Sequence, residues 1–328
     1  MTEHSSYWST LDLAEGLHLG HALATLERLG IVDSLENSCT PRQLAQKHQV
    51  DPTLLECMLQ MLTFRTKLFA MRNGKYRLTP RYSSSARFVF LQYVGAYSNN
   101  AAQLDQLLRS PASAGKLVDR KQHARAFDET GTWESCEIAD LVVKLGLERP
   151  LDIGCGSASM LVELASRSRN FRGWGIDANP WMCKSARKRI AAARLQRRVS
   201  IFEGDCRALG SAIPLKILTD VATLTASGVV NEFFAGGPRD AINWLRTLRR
   251  VFPGRKMLIE DYYSQLGSKR RTIARAVALH DFVQAISGQG VPPSDLAAWK
   301  DIYSAADCHL VEVYKTSNAF GFIHLISF

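Results

Sequence analysis

The sequence lacks an apolar run long enough to cross a membrane, and no two of its cysteines form a C-x-x-C pair. A membrane helix needs roughly 18 consecutive apolar residues, and the polar start, MTEHSS, is not that of a signal peptide. The seven cysteines, at positions 39, 57, 136, 155, 183, 206 and 308, are odd in number and scattered. We therefore predict a cytoplasmic globular protein with reduced thiols and no membrane partner.

The chain is also free of internal repeats and low-complexity tracts, and its 328 residues leave room for two domains. Its formal net charge is +10, and a positive charge of this size can indicate that a protein binds nucleic acid. The basic residues concentrate in three stretches, 184–198, 246–256 and 269–275, where they alternate with apolar positions. That pattern favours solvent-exposed helix faces, and attraction of an anionic substrate is the alternative.

The N-terminal region predicts helices followed by a hairpin. Residues 11–29 are apolar at helical spacing, and Thr40-Pro41 and Asp51-Pro52 each begin a helix in the N-cap and N1 pattern. Asn73-Gly74, between two short apolar runs, is a strong signal for a type I′ hairpin turn. Helices followed by such a hairpin indicate a winged-helix domain over residues 1–85.

A winged helix can bind DNA, but this one lacks the side chains for it. The candidate recognition helix, 53–62, contains no Arg or Lys, and the first one follows at Arg65. Phosphate and base contacts need such residues, so we predict a protein interface and no nucleic-acid partner. A winged-helix regulator with a ligand-sensing domain is the remote alternative. Residues 87–108, within a linker over 86–130, are predicted as a helical stretch that links the domains and walls the substrate pocket.

The most informative motif is LDIGCGSAS at 151–159, a short apolar strand that ends in Asp152 and continues into a turn with Gly154 and Gly156. Such glycines let the backbone approach a ligand, and the N–H groups of the next helix point at it. The dinucleotide fingerprint needs a third glycine where this chain has Ser159. The motif therefore favours S-adenosylmethionine over NAD(P), with Asp152 holding the amino group of the methionine part.

Two further strands end in acids. Strand 173–177 ends in Asp177, with Ala178 beside it, where a carboxylate binds two ribose hydroxyls. Strand 199–203 leads to Asp205 and Cys206, and the acid could accept from the adenine amino group. A single Asp after a strand is more commonly a helix cap or turn residue. Three of them in order indicate the edge of one binding crevice.

With these motifs the chain resembles the class I S-adenosylmethionine-dependent methyltransferases. Over nearly its whole length it is similar to the small-molecule O-methyltransferases that carry an N-terminal winged-helix module. The resemblance implies an α/β fold, with a Rossmann-like seven-stranded domain over 131–328 that begins near Trp133. Its later strands are expected at 221–229 and 256–260 and in a closing hairpin over 310–326, with a turn at Ser317-Asn318. The resemblance also implies a homodimer through the N-terminal domain.

Many O-methyltransferases of this type place a His-Asp pair after the fourth strand, where the His deprotonates the substrate hydroxyl. At the matching place this chain has VNEFF at 230–234, without a histidine. Glu232 is a candidate base if burial raises its pKa, and otherwise a carboxylate near a helix N-terminus. Asp261, at the end of the fifth strand, is a second candidate or a helix cap. A carboxylate-driven O- or N-methyltransferase is therefore one interpretation.

A different pair, His280-Asp281, follows the fifth strand and precedes SGQGVPP at 287–293. This segment resembles that of the antibiotic-pathway α-keto acid C-methyltransferases, in which histidines hold a metal that chelates the keto acid. An Fe or Zn ion would stabilise the enolate, with His280 and His324 as ligands and Asp281 completing the site or orienting a water. Each lone histidine is otherwise a packing residue. The favoured prediction is C-methylation at the β-carbon of an anionic α-keto acid, en route to a non-proteinogenic amino acid.

Overall fold

The computed structural model describes residues 9–130, 133–266, 274–317 and 320–328. Some predicted features lie outside these residues: the polar start at 1–6, positions 269–273 of the third basic stretch and Asn318 of the predicted turn. Nothing is described of the Cys136 side chain either. Within the described ranges, every helix is too short or too polar to span a bilayer.

The chain divides into two compact units. The first consists of Met1–Ser98 and Lys121–Thr130, and the second of Asn99–Arg120 and Gly131–Phe328. The segment predicted as a separate linker, 86–130, is therefore shared between the two units.

The first unit contains helices and a two-stranded hairpin. Its helices are Thr10–Arg28, Ile31–Ser34, Pro41–His48, Pro52–Arg65 and Ser84–Val89, with a π-helix at Phe90–Ala96 and most of Arg120–Thr130. Its antiparallel strands are β1 (Phe69–Arg72) and β2 (Lys75–Leu78). Thr40 forms a capping box with Gln43, and the Asp51 carboxylate accepts from the Leu54 N–H at 2.7 Å. Asn73 and Gly74 have φ of 50° and 70°, as a type I′ turn requires, so the predicted helices and hairpin are confirmed.

The predicted helical stretch over 87–108 is helical along most of its length, but it is divided into several elements. The chain forms the π-helix and then two short helices, Ser98–Ala102 and Leu104–Arg109. The Ser98 hydroxyl donates to the Gly95 carbonyl, and the Asn100 amide donates to the Ala114 and Ile286 carbonyls. The Ser98 hydroxyl thus bonds to a carbonyl three residues earlier, and such a local bond competes with the helical hydrogen bonds where the π-helix ends.

The second unit contains a seven-stranded sheet. Its strands are β3 (Pro150–Ile153), β4 (Gly173–Asp177), β5 (Val199–Glu203), β6 (Thr223–Ser227), β7 (Lys256–Tyr262), β8 (His309–Lys315) and β9 (Gly321–Ser327). The remaining α-helices are Ala114–Leu117, Trp133–Lys144, Ser159–Arg167, Pro180–Ala192, Leu209–Ala212, Leu215–Asp220, Pro238–Val251, Arg275–Ile286 and Leu296–Ala305. Single 3₁₀ turns occur at Pro111–Ser113, Cys206–Ala208 and Val230–Phe233.

The strand order is β5-β4-β3-β6-β7-β9-β8, with β9 antiparallel to both of its neighbours and the other pairs parallel. The predicted fold class is confirmed. β6 is shorter than predicted because Gly228, with φ of 60°, ends it, and β7 extends two residues further, to Tyr262. The order reverses between β3 and β6, and open α/β sheets bind ligands at the carboxyl ends of strands beside such a point.

Candidate active site

The turn after β3 depends on two glycines in the left-handed region. Gly154 and Gly156 have φ of 69° and 52°. A Cβ on Gly154 would lie 2.4 Å from a Val229 methyl group, so close packing requires glycine there. A Cβ on Gly156 would meet no atom within 4 Å, so this turn borders open space in which a ligand can lie against the backbone.

Asp152 lies at the end of β3, in register with Thr225 of β6. The Thr225 hydroxyl donates to its carboxylate at 2.8 Å, and the residue is only 6% exposed. Burial raises the pKa of Asp152 to about 7, the charge of Asp177 adds to the shift, and the Thr225 hydrogen bond opposes it. A cationic ligand group beside this carboxylate would stabilise its charged form.

Asp177 ties the end of β4 to the glycine turn. One carboxylate oxygen accepts from the Gly156 N–H at 2.9 Å, and the other accepts from the Asn179 N–H at 2.7 Å. Burial raises the pKa of Asp177 and these two N–H groups oppose the rise. Ionised carboxylate oxygens have further lone pairs, so this group still has capacity for hydroxyl donors.

The neighbours of these acids are mainly packing residues. Cys155 packs on β4, since a Cβ on Gly175 would lie 2.6 Å from its sulfur atom. Asp205 is half exposed, and its carboxylate accepts from the Arg207 N–H at 2.8 Å as a cap. The Cys206 carbonyl accepts from the Trp244 indole at 3.2 Å, and burial raises the pKa of its thiol to about 12. Ala178 is exposed at the end of β4.

Glu232 lies in the 3₁₀ turn that follows β6. It is half-buried, and burial raises its pKa to about 7. The charges of Arg120 and Arg207 oppose this rise, while that of Asp177 adds to it. Its electrostatic interaction with Asp177 places Glu232 at the same edge of the sheet as the glycine turn. The Arg120 carbonyl accepts from the Asn179 amide at 3.0 Å, which brings Arg120 to this edge too.

Asp261 anchors the turn that carries Glu232. One of its carboxylate oxygens accepts from the Asn231 N–H at 2.9 Å, and the other accepts from the Tyr262 N–H at 2.9 Å. Beside it, the Glu260 carboxylate accepts from the Ser227 hydroxyl at 2.7 Å. The backbone hydrogen bonds of Asp261 favour a positioning role over that of a base.

His280 and Asp281, adjacent in sequence, have different surroundings. The His280 ring packs edge-on against Tyr262, with centroids 4.8 Å apart, and its Nε2 lies 3.2 Å from the Gln284 amide nitrogen. Burial lowers the pKa of His280 to about 4, so it is neutral at physiological pH. Asp281 is fully buried and accepts from the Gln265 and Leu266 N–H groups at 2.6 and 2.8 Å. It therefore anchors the backbone after β7.

His324 belongs to the core. Its ring is fully buried and stacks on Phe322, with centroids 3.7 Å apart. Its Nε2 lies 3.1 Å from the Tyr263 hydroxyl, and its Nδ1 lies 2.9 Å from the Tyr303 hydroxyl. Burial lowers its pKa to about 3. Because both ring nitrogens have partners, His324 is not positioned to bind a metal.

The metal ligands predicted from the sequence do not come together in the structure. Among the residues described, no group of three His, Cys, Asp or Glu side chains is arranged to hold a metal ion. The predicted set of His280, His324 and Asp281 therefore does not form such a group. The motif at 287–293 has a packing explanation. A Cβ on Gly290 would lie 2.1 Å from the Phe234 backbone, and the Phe234 N–H donates to the Gln289 carbonyl at 3.0 Å.

Three residues at this edge were not predicted from the sequence. Thr225 lies in the middle of β6, Asn231 stands in the segment where a histidine would be expected, and Arg120 precedes the sheet by many residues. For Arg120, no local signal could have pointed to the site. The pairing of Thr225 with Asp152 becomes visible only once the strand order is known.

Residues 151–226 match a family model described as "Methyltransferase domain". This match spans β3 to β6 and contains the glycine turn and the acids at the ends of β3, β4 and β5.

Similar solved structures cover almost the whole chain. The mitomycin 7-O-methyltransferase MmcR is 16% identical over 96% of each chain, with a TM-score of 0.74. An O-methyltransferase family protein from Burkholderia thailandensis is 19% identical over 98% of each chain, with a TM-score of 0.66. CalO1, a methyltransferase in calicheamicin biosynthesis solved in its SAH-bound form, is 18% identical over 99% of each chain, with a TM-score of 0.62. The chain thus carries a methyltransferase domain within the fold of these proteins, which confirms the enzyme class predicted from its sequence.

Proposed function

We propose that this protein transfers a methyl group from S-adenosylmethionine to a hydroxyl group of a small molecule, with Glu232 as the general base. The observation that carries the proposal is the position of Glu232: it follows β6, at the switch point of the sheet, beside the carboxylates that border the glycine turn. An amine acceptor is the alternative, since the same base could remove its proton.

The residues around the turn fit S-adenosylmethionine. Gly156 borders open space, Asp152 is a buried carboxylate suited to the amino group, and Asp177 has lone pairs left for ribose hydroxyls. Asp205, Cys206 and Ala178 would border the adenine. The cofactor supplies an electrophilic methyl group on a sulfonium ion. The calicheamicin methyltransferase named above was solved with the corresponding demethylated product.

Glu232 would act by taking the proton of the acceptor hydroxyl as the oxygen attacks the methyl carbon. A base is most effective when its pKa lies near the working pH, and burial raises the pKa of Glu232 to about 7. Asp261 holds the backbone of Asn231 and so orients the turn. One of the similar structures is that of a mitomycin 7-O-methyltransferase and another is that of an O-methyltransferase family protein, which agrees with a hydroxyl acceptor.

Metal-assisted C-methylation of an α-keto acid has less support. His324 has tyrosine hydroxyls at both ring nitrogens, and Asp281 accepts from two backbone N–H groups. This donor set does not fit an Fe or Zn ion. If the keto acid mechanism operated, treatment with a chelator would abolish activity, and returning the ion would restore it. The proposed mechanism predicts an unchanged rate after the same treatment.

We further propose a homodimer that forms through the first unit. Large apolar side chains stand exposed there, among them Leu11 at 76% and Phe64 at 81%. Phe64 lines a groove of about 550 Å³ together with Met61, Met71 and other residues. Exposed apolar surface of this kind commonly marks a protein interface. Light scattering should give a dimer for the wild type and a monomer for Phe64→Glu if this surface is the interface.

The function is tested with purified protein and a panel of phenols, amines and α-keto acids. Calorimetry with S-adenosylhomocysteine measures cofactor binding, and its release during turnover measures methyl transfer. We expect binding and turnover of a hydroxyl acceptor, and loss of turnover with retained binding in Glu232→Gln. Turnover of keto acids alone, or full activity in Glu232→Gln, would contradict the proposal.

A further inference from the structure

Two buried side-chain amides near Glu232 each have an atom without a hydrogen-bond partner. Asn231 is 3% exposed and Gln284 is 6% exposed. Within the described ranges, neither Asn231 Oδ1 nor Gln284 Oε1 receives a hydrogen bond. An unpaired buried polar atom costs about 1–3 kcal/mol, so proteins usually retain one only where a ligand or water supplies the partner.

A series of contacts joins the turn that carries Asn231 to the helix that carries Gln284. The Asn231 N–H donates to Asp261, which also accepts from the Tyr262 N–H. The Tyr262 ring packs against His280, and the Gln284 amide reaches His280 Nε2 at 3.2 Å. The same two segments also meet through the backbone, since the Phe234 N–H donates to the Gln289 carbonyl at 3.0 Å and the Gln289 N–H donates to the Gln284 carbonyl at 3.1 Å. Asn231 and Gln284 therefore lie on neighbouring segments beside the ends of β6 and β7, and Glu232 follows Asn231 directly.

The chemistry of an amide indicates what would bind there. A side-chain amide can be placed in either of two orientations, which exchange the positions of its oxygen and its nitrogen. In both orientations, the atom at the unpaired position lacks a hydrogen-bond partner. A hydroxyl group satisfies either orientation because it both donates and accepts. A carboxylate only accepts, and at the ends of β6 and β7 it would be repelled by the negative charges of Asp261 and Glu232. His280, neutral at physiological pH, adds no positive charge that would attract one.

The base sets a further limit on the acceptor. A phenol has a pKa of about 10, whereas an aliphatic alcohol is several units less acidic. A base with a pKa near 7, as burial gives Glu232, is closer to the phenol.

We propose that Asn231 and Gln284 determine acceptor specificity by binding a second hydroxyl of an uncharged phenol, next to the hydroxyl that is methylated. This inference rests on the proposed function and narrows its substrate class to molecules of the catechol type. It assigns the two amides a role in acceptor binding, with no contact to the cofactor.

The test compares catechol, phenol and phenylpyruvate as probes with the full chain. Their binding to the complex with S-adenosylhomocysteine is measured by calorimetry, and their turnover with S-adenosylmethionine is measured by product release. Catechol should have a kcat/KM about 10-fold or more above that of phenol, and phenylpyruvate should have the lowest value. A site that hydrogen-bonds a substrate hydroxyl discriminates strongly against a molecule that lacks this hydroxyl. Gln284→Leu and Asn231→Leu should each raise KM for catechol about 10-fold or more. The KM for phenol and the affinity for S-adenosylhomocysteine should change little.

Different failures have different meanings. Equal use of catechol and phenol by the wild type, preference for phenylpyruvate, or an unchanged KM for catechol in both Leu variants would overturn the subsite. The absence of catechol binding and turnover would overturn it as well. A wild type that does not bind S-adenosylhomocysteine would overturn the proposed function itself. Because the amides lie on separate elements, a folding defect in one variant leaves the other to decide.

Discussion

Asp261 and Asn231 join the ends of strands β7 and β6 through a hydrogen bond of 2.9 Å from the Asn231 N–H to the Asp261 carboxylate. Both residues are almost completely buried. Because Glu232 is the next residue in the chain, this hydrogen bond fixes the backbone from which the proposed base projects.

Replacing Asp261 should therefore impair the chemical step more than cofactor binding. We expect Asp261→Ala to lower kcat roughly 10- to 100-fold, since a misplacement of about 1 Å can have an effect of this size. Asp261→Asn, which can still accept one of the two hydrogen bonds, should fall between the wild type and Asp261→Ala. Steady-state kinetics and calorimetry with S-adenosylhomocysteine provide the two readouts. Equal kcat in Asp261→Ala and the wild type would contradict a positioning role.

The pH dependence of the rate should report Glu232. Its base form is the ionised one, and burial raises its pKa to about 7. The rate should therefore rise as the pH increases through 7 and level off above about 8, because the ionised fraction follows the pKa. Saturating S-adenosylmethionine separates this titration from that of Asp152, whose pKa burial also raises to about 7. Glu232→Gln should lower the rate roughly 10²- to 10⁴-fold. If the rise through pH 7 persists in that variant, another group is the base.

Asp152→Asn should increase stability while weakening cofactor binding. Burial raises the folded-state pKa of Asp152 from 3.8 to about 7, so the folded protein binds more protons than the unfolded chain between these values. The free energy of unfolding therefore falls as the pH rises from about 4, and the decrease is complete above about 7. Asparagine removes the buried charge and can still accept from Thr225.

Urea unfolding at pH 8 should give Asp152→Asn about 1–4 kcal/mol of additional stability, with a smaller gain at pH 5.5. The exposed Asp301→Asn serves as the control and should change stability by less than about 0.5 kcal/mol. Affinity for S-adenosylhomocysteine should fall in Asp152→Asn alone. A loss of stability in Asp152→Asn at pH 8 would show that the ionised Asp152 carboxylate does not destabilise the folded protein.

Gly154→Ala and Gly156→Ala form a matched pair. Both glycines have positive φ, so alanine adds backbone strain of about 1 kcal/mol at either position. At Gly154 the new methyl group would also collide with Val229, and we expect a total loss of about 2–4 kcal/mol. At Gly156 it would enter open space and should instead lower affinity for S-adenosylhomocysteine.

Denaturation and calorimetry on both variants test this division. Adding Val229→Ala should recover part of the stability lost in Gly154→Ala, since it removes the colliding methyl group. The cofactor hypothesis for this turn would be wrong if Gly156→Ala bound S-adenosylhomocysteine as tightly as the wild type.

Much of the local structure follows from residues that are neighbours in sequence. The caps at Thr40 and Asp51 and the Asn73-Gly74 turn depend on contacts within four residues, so their patterns were sufficient. The same holds for the glycine turn after β3, whose spacing alone indicated a cofactor site. The stretch 87–108 is helical as its periodicity predicted, but periodicity did not indicate where it is divided, for example near Ser98, whose hydroxyl bonds to the Gly95 carbonyl.

By itself the sequence determined the fold class, the order of the strands along the chain and the turn that favours S-adenosylmethionine, because these depend on short-range spacing. Only the tertiary structure placed His324 between Tyr263 and Tyr303 and joined Asn231 to Asp261. It also brought Arg120 close enough to influence Glu232. The pKa of a side chain, and whether a histidine nitrogen is available to bind a ligand, both depend on burial and on partners from distant parts of the chain. These properties are therefore decided only when the strands and helices pack together.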